Sequence, residues 1–415
     1  MHCIHEGEEG AMVINVAKSP FQEITGVRSG LSEQSKDLLT SLGLYMSARI
    51  LMAFGTVLSL LGPKFTMGEL PFFSFIWSMV HDDSGWYHFI ASQGYIKQDT
   101  PFFPAYPLII SALHSVTGLD ITTAGLLVSN AAEILALFII IRLFRRIMNG
   151  HAARWGAALL AFFPMAIFLP AMYTESLFVL FIAATLLALM DKRFVWAGLC
   201  GFAAVLTRNE GILLLIPFLA TLWQLYRETK RIPWRGIGLA SLLPMAALMY
   251  MGYLAIKFGS PLLFSHEEQL WGRQFMFPLV TLWDGVSSFA SLWALNGWYG
   301  HLYYSIEILA VAVSIISLPL VWRYLPKSWF WFTLAMILIP LSDPGVGRIS
   351  ITYVPHRIED YFFSYPRFIL AMIPLFAAWA RFLDQYRSFR IVTVWMSWGG
   401  LIAASYFISK HIFLA

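Results

Sequence analysis

Apolar stretches long enough to cross a lipid bilayer recur along almost the whole sequence. A lipid-exposed span needs about 20 mainly apolar residues and must be helical, because the hydrocarbon core offers no partners for backbone polar groups. Of the 415 residues, 58% are hydrophobic and 13% are charged, against about 25% charged residues in soluble globular domains. Such a chain cannot cover a water-facing surface. The sequence therefore predicts an integral membrane protein and excludes soluble, fibrous and disordered classes.

About eleven of these stretches are predicted to be transmembrane helices, so the predicted fold class is an all-α, polytopic membrane protein. They lie near residues 38–61, 121–143, 155–172, 174–190, 194–208, 211–226, 236–257, 304–323, 328–342, 367–383 and 391–412. The segment 102–118 contains Pro104 and Pro107 and is predicted to be a re-entrant or membrane-surface helix. A full crossing there would break the charge alternation of the loops.

Basic residues divide the connecting loops into two groups. Short cytoplasmic loops are enriched in Lys and Arg. Five basic clusters fall in alternate loops: Arg142, Arg145 and Arg146; Lys192 and Arg193; Arg227, Lys230, Arg231 and Arg235; Arg323 and Lys327; and Arg381, Arg387 and Arg390. This alternation predicts a cytoplasmic N-terminus and a C-terminus on the outer side of the membrane.

The predicted domain organisation has two parts. Residues 1–37 carry Glu6, Glu8 and Glu9 where a secretory signal would be basic, which predicts a disordered cytoplasmic tail. Residues 38–415 are predicted to form a single membrane domain, with long outer loops at 62–101, 257–303 and 342–366. The net charge of +4 is too small to indicate a nucleic-acid-binding surface.

The first outer loop contains the motif HDDSGWYHFIASQGY, in which Asp82 and Asp83 precede a predicted amphipathic helix. A carboxylate held at the membrane surface can act as a general base toward a water-borne hydroxyl group. A structural interpretation stays open, because Asp83 or Ser84 could also cap the helix N-terminus.

Polar residues at membrane depth are costly and indicate functional sites by default. Glu175 in YTESLF, Arg208 in LTRNEG and Arg367 in SYPRF all lie at the predicted outer ends of spans. They would therefore face the same compartment as Asp82 and Asp83. The structural alternatives are an Arg208 ion pair with Glu210, a Glu175 carboxylate near a helix N-terminus, and an Arg367 side chain that reaches the interface.

The other two outer loops add cations, carboxylates and aromatic rings. Arg273 lies in the second loop and His356 in the third, and such cations suit a phosphate group. The two cysteines, Cys3 and Cys200, indicate neither a disulfide framework nor a metal cluster. With no metal-ligand spacing and no nucleotide-binding glycine motif, the sequence predicts no metal and no cofactor.

Several motifs in register resemble a known family. The strings DSGWYHFIASQGY, TPFFPAYPLI, YTESLF, LTRNEGILL and SYPRFILAMIPLF are similar to those of PIG-V-type mannosyltransferases, which are relatives of the second mannosyltransferase of GPI-anchor synthesis. The resemblance extends from about residue 75 to residue 385. It implies a polytopic glycosyltransferase of the GT-C type. Where this family more often has Trp-Asp, the chain has His81-Asp82-Asp83.

The resemblance implies transfer of mannose from a polyprenyl-phosphate donor on the extracytoplasmic face. It selects Asp83 as the general base and leaves Asp82 as a helper or substitute. The sugar would be transferred with inversion and without a metal ion. Arg208 and Arg367 are the first candidates for binding the donor phosphate, because cations stabilise the charge that develops on the leaving group. Arg273, His356 and Glu175 are further candidates for this donor site.

The implied partners are the lipid-linked donor, membrane lipids, and a glycolipid, glycan or protein acceptor. Whether an accessory membrane subunit takes part stays open, and no nucleic acid is expected. The membrane would be the plasma membrane in a prokaryote and the endoplasmic reticulum in a eukaryote. The alternatives are a transferase of the same type that uses another lipid-linked sugar, such as arabinose or glucose, a transporter of lipid-linked substrate, and a non-catalytic scaffold.

Overall fold

The computed structural model describes residues 32–61, 79–80, 82–291, 297–349, 356–357 and 360–410. The chain divides into two units, Met1–Lys36 and Asp37–Ala415. Residues 1–31, which make up most of the predicted tail, and residues 62–78 and His81 in the first outer loop lie outside the described residues. The predicted boundary between tail and membrane domain therefore stays a prediction.

Helices make up most of the described structure. They are α1 (Glu33–Leu61), α2 (Asp83–Gln93), α3 (Ala105–Thr117), α4 (Ile121–Phe144), α5 (Gly150–Ala161), α6 (Glu175–Met190), α7 (Phe194–Thr207), α8 (Leu215–Thr229), α9 (Trp234–Ala240), α10 (Leu242–Phe258), α11 (Leu263–Glu268), α12 (Pro278–Ser287), α13 (Gly297–Tyr324), α14 (Lys327–Leu341), α15 (Tyr365–Phe368), α16 (Ile373–Gln385) and α17 (Arg387–Ser409). Three 3₁₀ segments, Pro164–Phe168, Asn209–Leu214 and Ile369–Ala371, interrupt them.

Within the described residues, five helices are long and apolar enough to cross a membrane: Glu33–Leu61, Ile121–Phe144, Trp234–Phe258, Gly300–Tyr324 and Ser388–Ser409. A sixth span results if the pair Tyr365–Ala371 and Ile373–Gln385, bent by 75°, counts as one. Four shorter apolar helices accompany them: Ala105–Thr117, Glu175–Met190, Phe194–Thr207 and Lys327–Leu341. The apolar helices agree with an integral membrane protein, but the predicted count of about eleven spans is not confirmed.

Broken helices account for much of the difference between the predicted number of spans and the number of long helices in the structure. The predicted span 155–172 ends as an α-helix at Ala161 and continues as the 3₁₀ segment Pro164–Phe168, because proline lacks the backbone N–H that an α-helix needs. The predicted span 211–226 likewise begins in 3₁₀ geometry at Asn209. Helix α3 has 13 residues and rises about 20 Å, less than the roughly 30 Å hydrocarbon core. Its predicted re-entrant or surface position stays a prediction.

A small antiparallel sheet joins the second and third outer loops. Its strands are β1 (Trp271–Arg273), β2 (Gly345–Ile349) and β3 (His356–Arg357), in the order β1-β2-β3. Arg273 pairs with Gly345, and β2 pairs with β3 through Ile349 and His356. The sequence analysis did not predict this sheet in an otherwise helical protein. These strands are too short to leave a periodic pattern in the sequence, and they become strands because distant segments pair.

Helix α2 confirms the helix predicted from the first outer loop and packs on the protein core. Its buried residues are Ser84, Tyr87 and Ile90, which share one helical face. The Tyr87 ring packs edge-on against Phe102 and Tyr106, each at 5.1 Å between ring centroids. These contacts fix the start of α2, and therefore its first residue Asp83, against α3.

Candidate functional site

A cavity of about 600 Å³ opens where the outer loops meet the helix ends. Drug-sized ligands occupy pockets of about 300–1,000 Å³, so a sugar and a phosphate group fit this volume. Both charged residues and aromatic rings line it. The lining residues are Asp82, Asp83, Trp86, Tyr87, Pro101, Phe102, Phe103, Thr174, Thr207, Arg208, Asn209, Glu210, Glu268, Arg273, Ile339, Pro340, Asp343, Phe363, Ser364, Arg367 and Phe368.

Arg367 joins two of the sequence-predicted carboxylates. Its Nη2 donates a hydrogen bond to Asp83 Oδ2 at 3.0 Å and to Glu175 Oε1 at 2.6 Å. Its Nε donates to the same Glu175 oxygen at 3.1 Å. The guanidinium group also lies over the rings of Phe168 and Tyr173, each at 4.8 Å. Arg367 is therefore held rigidly beside Asp83, although the two residues are far apart in sequence.

Glu175 holds Arg208 in the same way. Arg208 Nη1 donates to Glu175 Oε1 at 3.3 Å, and Arg208 Nη2 donates to Glu210 Oε1 at 3.3 Å. The Glu175 side chain is only 3% exposed, whereas the Arg208 side chain is 22% exposed. Glu175 does not line the cavity. The structure therefore places it behind the two arginines, which it orients, and the sequence alternative of an Arg208–Glu210 pair is present as well.

Asp83 has one oxygen left for chemistry. Arg367 bonds to Oδ2, and no described residue donates a hydrogen bond to Oδ1. The side chain is 27% exposed and faces the cavity. An oriented carboxylate with an accessible oxygen beside a cation can accept a proton from a bound hydroxyl group.

Asp82 occupies the N-cap position of α2 but makes no side-chain cap hydrogen bond. Its backbone has φ +44°, an unfavourable conformation for a residue with a Cβ atom. Its side chain lines the cavity next to Asp83. Neither Asp83 nor Ser84, the two predicted capping residues, holds the N-cap position, and both carboxyl residues line the same cavity.

The outer loops form a second group of charges in the cavity, which consists of Glu268, Arg273 and Asp343. Arg273 Nη1 donates to the Asp343 backbone oxygen at 2.8 Å and lies 3.6 Å from Asp343 Oδ2. Burial raises the pKa of Glu268 to about 8, with a further contribution from the Asp343 charge. Burial also raises the pKa of Asp343. Of these three residues, sequence analysis selected only Arg273. Glu268 and Asp343 come close to Arg273 because the two loops pair, and the sequence alone does not show this pairing.

His356 lies in β3, where its backbone pairs with Ile349. The placement of its side chain lies outside the described part of the structure. Its role in donor binding stays a prediction. Across the described ranges, no group of three or more His, Cys, Asp or Glu side chains is arranged to hold a metal ion.

The apolar helices and this polar cavity define a helical integral membrane protein with a charged site beside its outer loops. Residues 61–228 match the model of the mannosyltransferase (PIG-V) family. The match confirms the resemblance found in the motifs, and it contains Asp83, Glu175 and Arg208. Arg273, His356 and Arg367 lie beyond the matched residues.

Solved structures of the oligosaccharyltransferase of Archaeoglobus fulgidus are similar to the chain. The crystal structure of its apo form has a TM-score of 0.41 and 14% identity, and covers 88% of this chain and 55% of that one. The structure tethered to an acceptor peptide with the NVT sequon has a TM-score of 0.40 and 12% identity, covering 89% and 55%. The complex with an inhibitory peptide and a dolichol-phosphate has a TM-score of 0.37 and 12% identity, also covering 89% and 55%.

The chain thus spans little more than half of the length of these solved structures. No curated protein sequence matches it.

Proposed function

We propose that the protein is a membrane glycosyltransferase that moves mannose from a polyprenyl-phosphate donor to a hydroxyl group of an acceptor. The observation that carries the proposal is the cavity in which Asp83 lies beside Arg367 and Arg208. The family match supports it, because residues 61–228 include Asp83 and Arg208. The choice of mannose rests on the family alone.

Asp83 is the proposed general base. Its Oδ1 would take the proton of the acceptor hydroxyl group while that oxygen bonds to the anomeric carbon of the donor sugar. The bond from the anomeric carbon to the phosphate oxygen breaks on the opposite face, so the configuration inverts. Arg367 holds Asp83 through Oδ2 and thereby fixes the direction in which Oδ1 points.

Arg208 and Arg367 are the proposed phosphate-binding pair. Both are clamped by Glu175, so their guanidinium groups need little reorganisation when a phosphate enters. Charge that develops on the departing polyprenyl phosphate would be stabilised by these cations without a metal ion, and no cofactor is part of the proposal. Arg273 would bind a more distant part of the donor or acceptor.

The aromatic and apolar lining suits the remaining parts of the substrates. Trp86 and Phe102 stack with 5.9 Å between ring centroids, and rings of this kind pack against the apolar faces of sugars. Ile339 and Pro340 at the end of α14 add apolar surface next to the charged residues. A donor that arrives through lipid could place its polyprenyl chain against this surface and its phosphate against the arginines.

The decisive experiment measures sugar transfer by the purified protein in lipid. Radiolabelled polyprenyl-phosphate-mannose and a membrane glycolipid extract are supplied to the wild type, Asp83→Asn and Asp82→Asn. We expect the Asp83→Asn exchange to lower turnover by at least about 10²-fold, because a base contributes roughly that factor or more. Asp284→Asn, in α12 and outside the cavity lining, is the matched carboxyl-to-amide control.

The possible results separate the parts of the proposal. Full activity of Asp83→Asn would remove that residue as the base. A wild type that consumes polyprenyl-phosphate-arabinose or polyprenyl-phosphate-glucose, but not the mannose donor, would replace mannose and keep the site. A wild type that moves labelled donor across the membrane without cleaving it would establish the transporter alternative.

A further inference from the structure

Two buried carboxyl groups near the cavity take no part in the proposed reaction. Glu307 lies in α13 and is fully buried, and Asp360 lies in the third outer loop and is 7% exposed. Neither carboxyl group forms an ion pair with a described Lys or Arg. A buried, unpaired charge is costly, and two such charges in contact are costlier still.

The hydrogen bonds around the pair leave one oxygen unexplained. Glu307 Oε1 accepts from the Ser364 backbone N–H at 3.0 Å. Asp360 Oδ2 accepts from the Tyr303 hydroxyl group at 2.7 Å, and Oδ1 accepts from the Phe362 N–H at 3.2 Å. Glu307 Oε2 is buried, and no N–H or hydroxyl donor in the described part of the chain reaches it. The Asp360 carboxyl group is the carboxyl neighbour of Glu307, and the Tyr303 hydroxyl group interacts with both.

Two ionised carboxylates have only acceptor oxygens and cannot bond to each other. One proton between them removes the repulsion and satisfies Glu307 Oε2 at the same time. Burial raises the pKa of Asp360, which agrees with a carboxyl group that retains a proton above its usual range.

The pair holds the segment that carries Arg367. The Asp360 backbone exchanges two hydrogen bonds with Gly345, at 2.9 and 2.8 Å, so it closes the end of the loop. Ser364 is held by Glu307 in the left-handed conformation, with φ +60°, and α15 begins directly after it. Arg367 lies in α15. A release of Ser364 would therefore move the guanidinium group that contacts Asp83 and Glu175.

We propose that Glu307 and Asp360 share one proton and act as positioning residues, which hold Arg367 at the cavity while the proton is present and release its loop when the proton is lost. The catalytic consequence rests on the proposed function, but the loop anchor does not. Loss of the proton with rising pH places two negative charges in contact. The anchor is therefore complete at acidic and neutral pH and weakens at alkaline pH.

Few other titratable or charged groups face the pair. Within the described residues these are Tyr303 of α13, which bonds to Asp360, and Arg273 of β1, whose charge favours an ionised Asp360. The segments 334–341 of α14 and 373–379 of α16 contain no titratable side chain. The pair itself is thus the main source of pH dependence in this loop anchor.

Hydrogen exchange of the full-length protein in lipid nanodiscs tests the proposal. The backbone N–H groups of Ser364 and Asp360 are followed from about pH 5 to about pH 9 in the wild type and in Glu307→Gln. Glutamine reproduces a protonated glutamate, since its oxygen can accept from Ser364 while its NH₂ group donates to Asp360. Asp360→Asn is the second variant, and Asp284→Asn is the control.

We expect equal protection in the wild type and in Glu307→Gln at acidic pH. Above the pKa of the pair, exchange in the wild type should rise relative to Glu307→Gln by up to about tenfold per pH unit, because the protonated fraction falls by that factor. Asp360→Asn should flatten the profile in the same way. The control should follow the wild type.

Parallel wild-type and Glu307→Gln profiles over the whole range would overturn the shared proton. Loss of protection at every pH in both amide variants would also overturn it, because it would show that the anchor needs an ionised pair.

If the wild type transfers sugar, its activity should fall at alkaline pH with a rise in KM for the donor, and Glu307→Gln should remove that fall. A wild type that transfers no sugar at any pH refutes the proposed function only, and the exchange result stands separately.

Discussion

Removal of the Glu175 charge is the sharpest test of how the arginines are held. Glu175 accepts two hydrogen bonds from Arg367 and one from Arg208, all on Oε1. Loss of one partner from a buried ion pair costs about 3–5 kcal/mol, because the remaining charge is left uncompensated. Two arginines depend on Glu175, but each keeps a second carboxylate, Asp83 or Glu210. We therefore expect Glu175→Gln to lower the free energy of unfolding by about 3 kcal/mol.

The matched control is Glu210→Gln, since Arg208 is the one residue in the described ranges to which the Glu210 side chain bonds. It should cost less than half as much as Glu175→Gln. Both variants are measured by denaturant unfolding in the same detergent micelles, with the helix content as the signal. Glu175→Gln should also lower sugar transfer, even though this variant keeps both Arg208 and Arg367. A change within about 0.5 kcal/mol of the wild type, the range of ordinary surface substitutions, would refute the clamp.

Three further predictions concern stability. Gly211→Ala should cost at least about 2 kcal/mol in denaturant unfolding, because its Cβ would lie 2.5 Å from the Ala204 backbone, whereas Gly238→Ala, with nothing within 4 Å, should be neutral or stabilising. Glu268→Gln should make the melting temperature depend less on pH. Burial raises the pKa of Glu268 to about 8. The stability that its proton contributes is therefore complete below the ordinary glutamate pKa of about 4 and is lost as pH rises through about 8. Glu133→Leu alone should be destabilising by about 3–5 kcal/mol because it leaves the buried Arg49 unpaired, and the double variant with Arg49→Met should recover most of that loss in the same unfolding assay.

Sequence reasoning placed the charged candidates on one side of the membrane, and the structure places five of them in one cavity. The five are Asp82, Asp83, Arg208, Arg273 and Arg367. Their shared location could be predicted because Arg208 and Arg367 stand at ends of apolar stretches, the other three stand in loops between such stretches, and loop charges indicate which ends face the same side. Their catalytic and binding roles stay predictions until the transfer experiment is done.

The helix count shows where such reasoning fails. Hydropathy identifies apolar segments, but it does not distinguish a straight span from a broken one. The segment around Pro164 is 3₁₀, and the segment that carries Arg367 bends by 75° before α16. Breaks of this kind bring polar side chains such as Arg367 to the cavity, so the departures from regular helix are part of the site.

By itself the sequence determined that the protein is a membrane protein, that a helix follows the acidic pair Asp82-Asp83, and that its motifs resemble a mannosyltransferase family. Composition, periodicity and motifs are properties of neighbouring residues, so a linear reading contains them. Only the tertiary structure decided that Glu175 lies behind two arginines, that Glu268 and Asp343 share a wall with Arg273, and that Glu307 contacts Asp360. These contacts join residues that are distant in the chain, and their energies depend on burial and geometry that exist only after the helices have packed.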